Sequence, residues 1–129
     1  MIKSYSKQKS GTTKLSANFK VSEFACKDGS DTVFIDTELV DILQKIRDKF
    51  GKPVIINSGF RNDSYNNKIG GAKYSQHQYG KAADIRIDGV TPKDIASFAE
   101  TLLVGTGGIG IYNTFVHIDM RKIKSRWHG

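Results

Sequence analysis

The chain has 129 residues, 38% of them hydrophobic and 26% charged, with a formal net charge of +7. That describes one domain, long enough to bury about two-thirds of its unfolded surface without covalent staples. A single cysteine excludes an intramolecular disulfide and any multi-cysteine zinc site, and no run of about 18 apolar residues is present to span a membrane.

Residues 1–14 are polar, basic and without periodicity, and read as a flexible arm in which Lys3, Lys7, Lys9 and Lys14 contact an anionic surface. A solvated tail with no role is the competing reading. The arm has no apolar stretch behind its lysines, so it does not read as a secretory signal, and the chain is expected to be made in the cytoplasm without one. Residues 15–129 form the domain proper. Ser22 is a plausible cap for a short helix carrying Phe24 and Ala25 inward, and Cys26 reads as a small buried hydrophobe.

Thr37 to Phe50 is the first long helix, with Asp36 as N-cap and Gly51 as the stop. Leu39, Ile42, Leu43, Ile46 and Phe50 recur at helical spacing and predict a core stripe. Pro53 to Asn57 reads as a buried strand that delivers Ser58-Gly59-Phe60-Arg61 at its end. Asn62 or Asp63 then caps a helical turn that ends at Gly70-Gly71.

Residues 70–81 are a polar, glycine-rich loop leading into Ala82-Ala-Asp-Ile-Arg-Ile-Asp88, which alternates with period two. Asp84 therefore leaves a rigid strand near its start, a good place for a ligand. Thr91-Pro92 opens a second helix, whose apolar stripe runs through Ile95, Ala96, Phe98, Ala99, Leu102 and Leu103. Residues 108–112 and 115–120 flank Asn113-Thr114 and predict a hairpin, with Phe115, His117 and Asp119 on one face of its second strand. The basic tail holds the only tryptophan, and His128 within it reads as solvated. The fold class is α+β, a small, mostly antiparallel sheet with flanking helices in one domain.

Ser75, His77 and Asp84 form the pattern S-x-H-(six)-D, and His117 follows far downstream in F-V-H-I-D. Two imidazoles and a carboxylate are the donor types that a hydrolytic zinc site uses, with a fourth position left for water. A strand histidine alone is more often a satisfied polar residue; the pattern gains force from all three together.

The segments S-G-F-R-N at 58–62, G-G-A-K-Y-S-Q-H-Q-Y-G-K-A-A-D-I at 70–85 and F-V-H-I-D at 115–119 resemble the zinc D-alanyl-D-alanine peptidase family. The resemblance extends upstream through 15–26 and covers roughly residues 15–120. It implies the hedgehog/D-Ala-D-Ala zinc peptidase fold, one Zn²⁺ bound by His77, Asp84 and His117, and cleavage of amide bonds in peptidoglycan stem peptides. It further implies that Arg61 stabilises negative charge on the carbonyl oxygen or clamps a substrate carboxylate, and that Ser75 hydrogen-bonds substrate. Gln76 and Tyr74 are placed along the cleft.

Many family members carry a glutamate three residues before the last ligand, or a histidine two before it. Here those positions hold Thr114 and Phe115, neither of which accepts a proton at neutral pH. Asp119 is the nearest carboxylate. It is expected to activate the water or to orient a ligand imidazole, with a salt bridge to Arg86 or Arg121 as the alternative.

Two functions follow as expectations. One is a monomeric zinc peptidase of the cell wall, a carboxypeptidase or an endopeptidase of endolysin type, released by a phage lysis system or carried in a virion. The other is a non-catalytic, zinc-stabilised wall-binding or virion module. The pI near 9.5 predicts attraction to anionic cell-wall polymers or nucleic acid; no helix-turn-helix spacing, RNP-like aromatic motif or zinc-finger cysteines accompany it, which sets nucleic acid aside.

Overall fold

Hydrophobic periodicity decides which face of each element meets the core, and the faces left over build the cleft. A computed structural model describes residues 1–129. In chain order the elements are β1 (Ile2–Ser6), α1 (Lys7–Ser10), β2 (Lys14–Ser16), β3 (Phe19–Lys20), β4 (Thr32–Asp36) and α2 (Thr37–Phe50). They continue with β5 (Ile55–Ser58), α3 (Asp63–Lys68), β6 (Ala82–Arg86), α4 (Pro92–Leu102), β7 (Gly108–Ile111), β8 (Val116–Asp119) and β9 (Ser125–His128). Single 3₁₀ turns stand at Val21–Phe24 and Gln76–Tyr79.

Helix α2 starts where the Asp36 carboxylate accepts a 2.9 Å bond from Glu38 N–H, and it ends at Gly51, whose φ of 63° suits only glycine without strain. Leu39, Val40, Ile42, Leu43 and Ile46 are buried along one face. Helix α4 begins with Thr91 capping Asp94 N–H and Pro92 in the first turn, and buries Ile95, Ala96 and Ala99. The short helix α3 is capped by Asn62, as the sequence suggests. Ser22, by contrast, is not a cap: it lies inside the 3₁₀ turn, and Glu23 reaches back to Lys20 N–H at 2.9 Å.

The main sheet has the order β5-β6-β8-β7-β9. All its pairings are antiparallel except β7 with β9. Ala83, Ile85, Ile109, Val116 and Ile118 belong to the core shared with α2 and α4. The alternate residues, Asp84 on β6 and His117 and Asp119 on β8, therefore face the other way. The register places Ser58 beside Asp84, Asp84 beside His117, His117 beside Gly110, and Gly110 beside Trp127. One row across the sheet thus carries most of the site.

Residues 1–14 are not a flexible arm. Strand β1 pairs antiparallel with β4 over Ile2–Ser6, and Lys14–Ser16 pairs with Phe19–Lys20. The stretch lacks apolar alternation because this ribbon lies at the surface, with Ile2, Lys3 and Ser4 exposed. Its backbone hydrogen bonds need no particular side chains. The basic tail is likewise structured, as β9. No helix of the structure is long and apolar enough to cross a membrane.

Candidate metal centre

His77 reaches the site from a 3₁₀ turn at the end of the polar loop. Ser75 Oγ caps that turn by accepting from His77 N–H at 3.2 Å, and Gln78 Oε1 accepts from Ser75 N–H at 2.8 Å. Arg61 N–H donates to the His77 carbonyl, tying the loop to the end of β5. His117 comes from the middle of β8 and Asp84 from the strand beside it.

The donor atoms of His77, Asp84 and His117 all lie within 4.8 Å of one another. Asp84 Oδ1 stands between the rings, 3.3 Å from His77 Nε2 and 2.9 Å from His117 Nδ1. All three side chains are buried, with 2% exposure for His77 and 8% for Asp84 and His117. Such a set fits a small divalent cation, because each imidazole has its other nitrogen already committed.

His77 Nδ1 is 2.7 Å from the Gly59 carbonyl. A carbonyl only accepts, so Nδ1 carries the proton and Nε2 keeps a lone pair towards Asp84. On His117 the order is reversed: Nε2 donates to Asp119 Oδ2 at 2.7 Å, and Nδ1 faces Asp84. This is the carboxylate–histidine arrangement that fixes a ligand's tautomer and raises its basicity.

Without a cation the two carboxylates favour a second proton on His117, at Nδ1, which a metal bound there would replace. Burial pushes His117 towards the neutral form, but hydrogen bonds to Asp119 and Asp84 outweigh it and hold the imidazole above its ordinary value. Burial by itself would raise Asp84, and the contacts with His117 and His77 reverse that, leaving it a firm anion well below the usual carboxylate range. Asp119 follows the same logic, with His117 and Arg121 overcoming its burial.

Asp119 is placed to hold the His117 ring and is turned away from the cleft. It is fully buried at 0% exposure. Its Oδ2 bonds His117 and Arg121, while Oδ1 accepts from Arg121 Nε at 2.8 Å and from Arg121 N–H at 3.1 Å. Neither oxygen is free to meet a water in the cleft. The physical reason is register: Asp119 sits opposite Gly108, and a Cβ there would collide with its carboxylate. Of the two arginines considered as partners, Arg121 holds Asp119, while Arg86 bonds Asn57 and Asp88.

Arg61 lines the cleft and pairs with buried Asp84. Its Nε donates to Ser58 Oγ at 3.0 Å, one terminal nitrogen to Asn66 Oδ1 at 3.3 Å and the other to Asp84 Oδ2 at 3.4 Å. It therefore braces Asp84 from the side away from the imidazoles. Ser75 and Gln76 line the same cleft of about 510 Å³. Tyr74 stands at its mouth, 70% exposed, with a left-handed φ of 60°. His128 is exposed on β9 and takes no part.

The cleft also includes Lys73, Tyr112 and Trp127, to which the sequence assigns no role, and Arg121, expected only as a partner for Asp119. Trp127 lies 5.1 Å from the His117 ring and stacks 5.2 Å from the Arg121 guanidinium. A Cβ on Gly110 would strike its indole. The alternation of glycine in Gly108-Ile-Gly110 was the available signal that something bulky crosses this strand.

A family model described as peptidase M15 matches residues 17–119, a span that contains all three converging side chains. The chain belongs to the peptidase M15 family. It is 38% identical over 94 residues to the peptidoglycan L,D-endopeptidase MepK of Escherichia coli K12, covering 66% of this chain and 50% of that one. It is 48% identical over 44 residues to the zinc D-Ala-D-Ala carboxypeptidase of Streptomyces albus G, or 33% of this chain and 17% of that one. A probable MepK of Haemophilus influenzae is 44% identical over 62 residues, 46% of this chain and 32% of that one. The chain thus aligns with half or less of the length of these relatives.

Proposed function

We propose that this chain is a zinc-dependent peptidase that hydrolyses amide bonds next to D-alanine in peptidoglycan stem peptides. One zinc ion would be held by His77 through Nε2, Asp84 through Oδ1 and His117 through Nδ1. The observation that carries the reading is the buried convergence of these atoms, each imidazole held in the complementary tautomer. The family match, and relatives named as a zinc carboxypeptidase and a peptidoglycan endopeptidase, support the same metal and substrate class.

Zinc in such a site supplies a water of lowered pKa, near ~7, and polarises the scissile carbonyl. The protein's own groups do the rest. Asp84 contributes the fixed negative charge and Arg61 holds it in place. Gly59 and Asp119 aim the two imidazoles. Ser75, Gln76 and Tyr74 form one bank of the cleft and contact the peptide. Lys73 and Arg121 give the cleft a positive rim, suited to the carboxylates of stem peptides. The protein would act at the cell wall as a monomer, its basic surface concentrating it on anionic wall polymers. Delivery by phage lysis or in a virion is part of the proposal.

The non-catalytic module draws on one observation: Asp84 is the only carboxylate lining the cleft. Mass spectrometry of purified peptidoglycan, incubated with the zinc-loaded protein with and without chelator, separates the readings. Chelator-sensitive loss of terminal D-Ala, abolished in His77→Ala, establishes a carboxypeptidase. Conversion of cross-linked dimers to monomers establishes an endopeptidase. Stoichiometric zinc without change to either substrate removes the enzyme and leaves the binding module.

A further inference from the structure

One polar group in the cleft has no task in the scheme above. The Tyr112 ring lies on Phe115, centroids 4.4 Å apart and planes 7° from parallel, so the phenol cannot swing freely. Its oxygen accepts a 2.9 Å hydrogen bond from Trp127 Nε1–H. An indole N–H only donates, so the phenol is the acceptor in that pair and its own proton must point elsewhere. No hydrogen bond within the protein uses that proton. Both rings line the metal-centre cleft, and Trp127 is itself fixed between His117 and Arg121.

We infer that the Tyr112 hydroxyl is a hydrogen-bond donor for a negatively charged oxygen of the bound peptide, with its direction set by Trp127. The inference rests on the peptidase reading of the cleft. The charge of the acceptor follows from the lining: Arg61, Lys73 and Arg121 are cationic and Asp84 alone is anionic. A charged acceptor also makes the stronger bond. Two sources offer such an oxygen, the free carboxylate at the end of a stem peptide and the scissile carbonyl as it becomes an oxyanion. Phe115 has no polar hydrogen to offer, and Thr114 is not among the residues that line the cleft.

Tyr112→Phe keeps the ring and its stack and removes only the hydroxyl. The test uses full-length zinc-loaded protein and two stem pentapeptides, one with a free C-terminal carboxylate and one amidated. Zinc stoichiometry checks that the site is intact. Peptide affinity is read by isothermal titration calorimetry, which serves the wild type and every variant alike, including one without Trp127, the only tryptophan in the chain. Zinc content should be unchanged and kcat/KM should fall about tenfold or more.

A fall in kcat at constant affinity identifies the oxyanion as the acceptor. A loss of affinity confined to the free-carboxylate peptide identifies the carboxylate. Trp127→Phe should move the same parameter in the same direction by a smaller factor, because the hydroxyl is present but no longer aimed. Unchanged turnover and affinity in Tyr112→Phe, beside an active wild type, would overturn this inference and leave the peptidase reading standing. A zinc-loaded wild type that neither binds nor cleaves either peptide would overturn both.

Discussion

The two imidazoles of the metal centre are held in opposite ways. His77 rides on a single 3₁₀ turn in a loop and is aimed by a backbone carbonyl, that of Gly59. His117 is locked in a central strand and aimed by a buried side chain, Asp119. A backbone acceptor cannot be removed by substituting its own side chain, whereas a carboxylate can. The loop half of the site should therefore tolerate substitution around its orienting group, and the sheet half should not.

The largest effect that tests this contrast comes from the donors themselves. His77→Ala or Asp84→Ala should each lower zinc affinity by more than about a hundredfold, beyond what loss of an orienting partner does. Zinc removal by chelation should abolish turnover in the wild type to the same degree. Isothermal titration with zinc, alongside peptidoglycan digestion, measures both.

Next comes Asp119→Ala, which removes the sheet-side orienter and leaves Arg121 beside a buried gap. Zinc affinity should drop about 10–100-fold, with Asp119→Asn intermediate because its amide oxygen still accepts from His117 Nε2. Equal affinity in Asp119→Ala and wild type would end the claim that this carboxylate aims the ring.

On the loop side, Gly59→Ala is a milder probe. A Cβ there would come within 2.8 Å of Phe24 Cα and 2.9 Å of its carbonyl oxygen, so the strand end must shift. A loss of about 1–3 kcal/mol of stability is expected from such overpacking, read by denaturant melting, with zinc affinity reduced less than in Asp119→Ala. The smallest effect belongs to Ser75→Ala. It removes the cap of one short turn and should cost about 0.5 kcal/mol. A much larger loss of turnover than of stability would show Ser75 contacting substrate as well.

The same contrast explains what the sequence made legible. Helices α2 and α4 were readable because their caps, Asp36 and Thr91, and their apolar stripes are local signals. The donor triad was readable because S-x-H-(six)-D is compact, and because period-two alternation puts Asp84 and His117 opposite the core. Strand β1 was not, since a surface ribbon needs only backbone hydrogen bonds and Ile2-Lys-Ser-Tyr-Ser shows no alternation. Strand β9 was hidden for another reason: its parallel pairing with β7 depends on a partner distant in sequence, so nothing in the basic tail announces Trp127 as a wall of the cleft. Spacing marks Asp119 as the nearest carboxylate, and the structure adds that it is buried with both oxygens taken by His117 and Arg121.

The most direct test of the centre is long-range ¹H–¹⁵N correlation NMR on zinc-loaded protein labelled at histidine. The chain has three histidines, and exposed His128 serves as the free reference. This arrangement of donors requires His77 protonated at Nδ1 with zinc on Nε2, and His117 protonated at Nε2 with zinc on Nδ1. Matching tautomers at the two residues, or histidine spectra that zinc leaves unchanged, would contradict it.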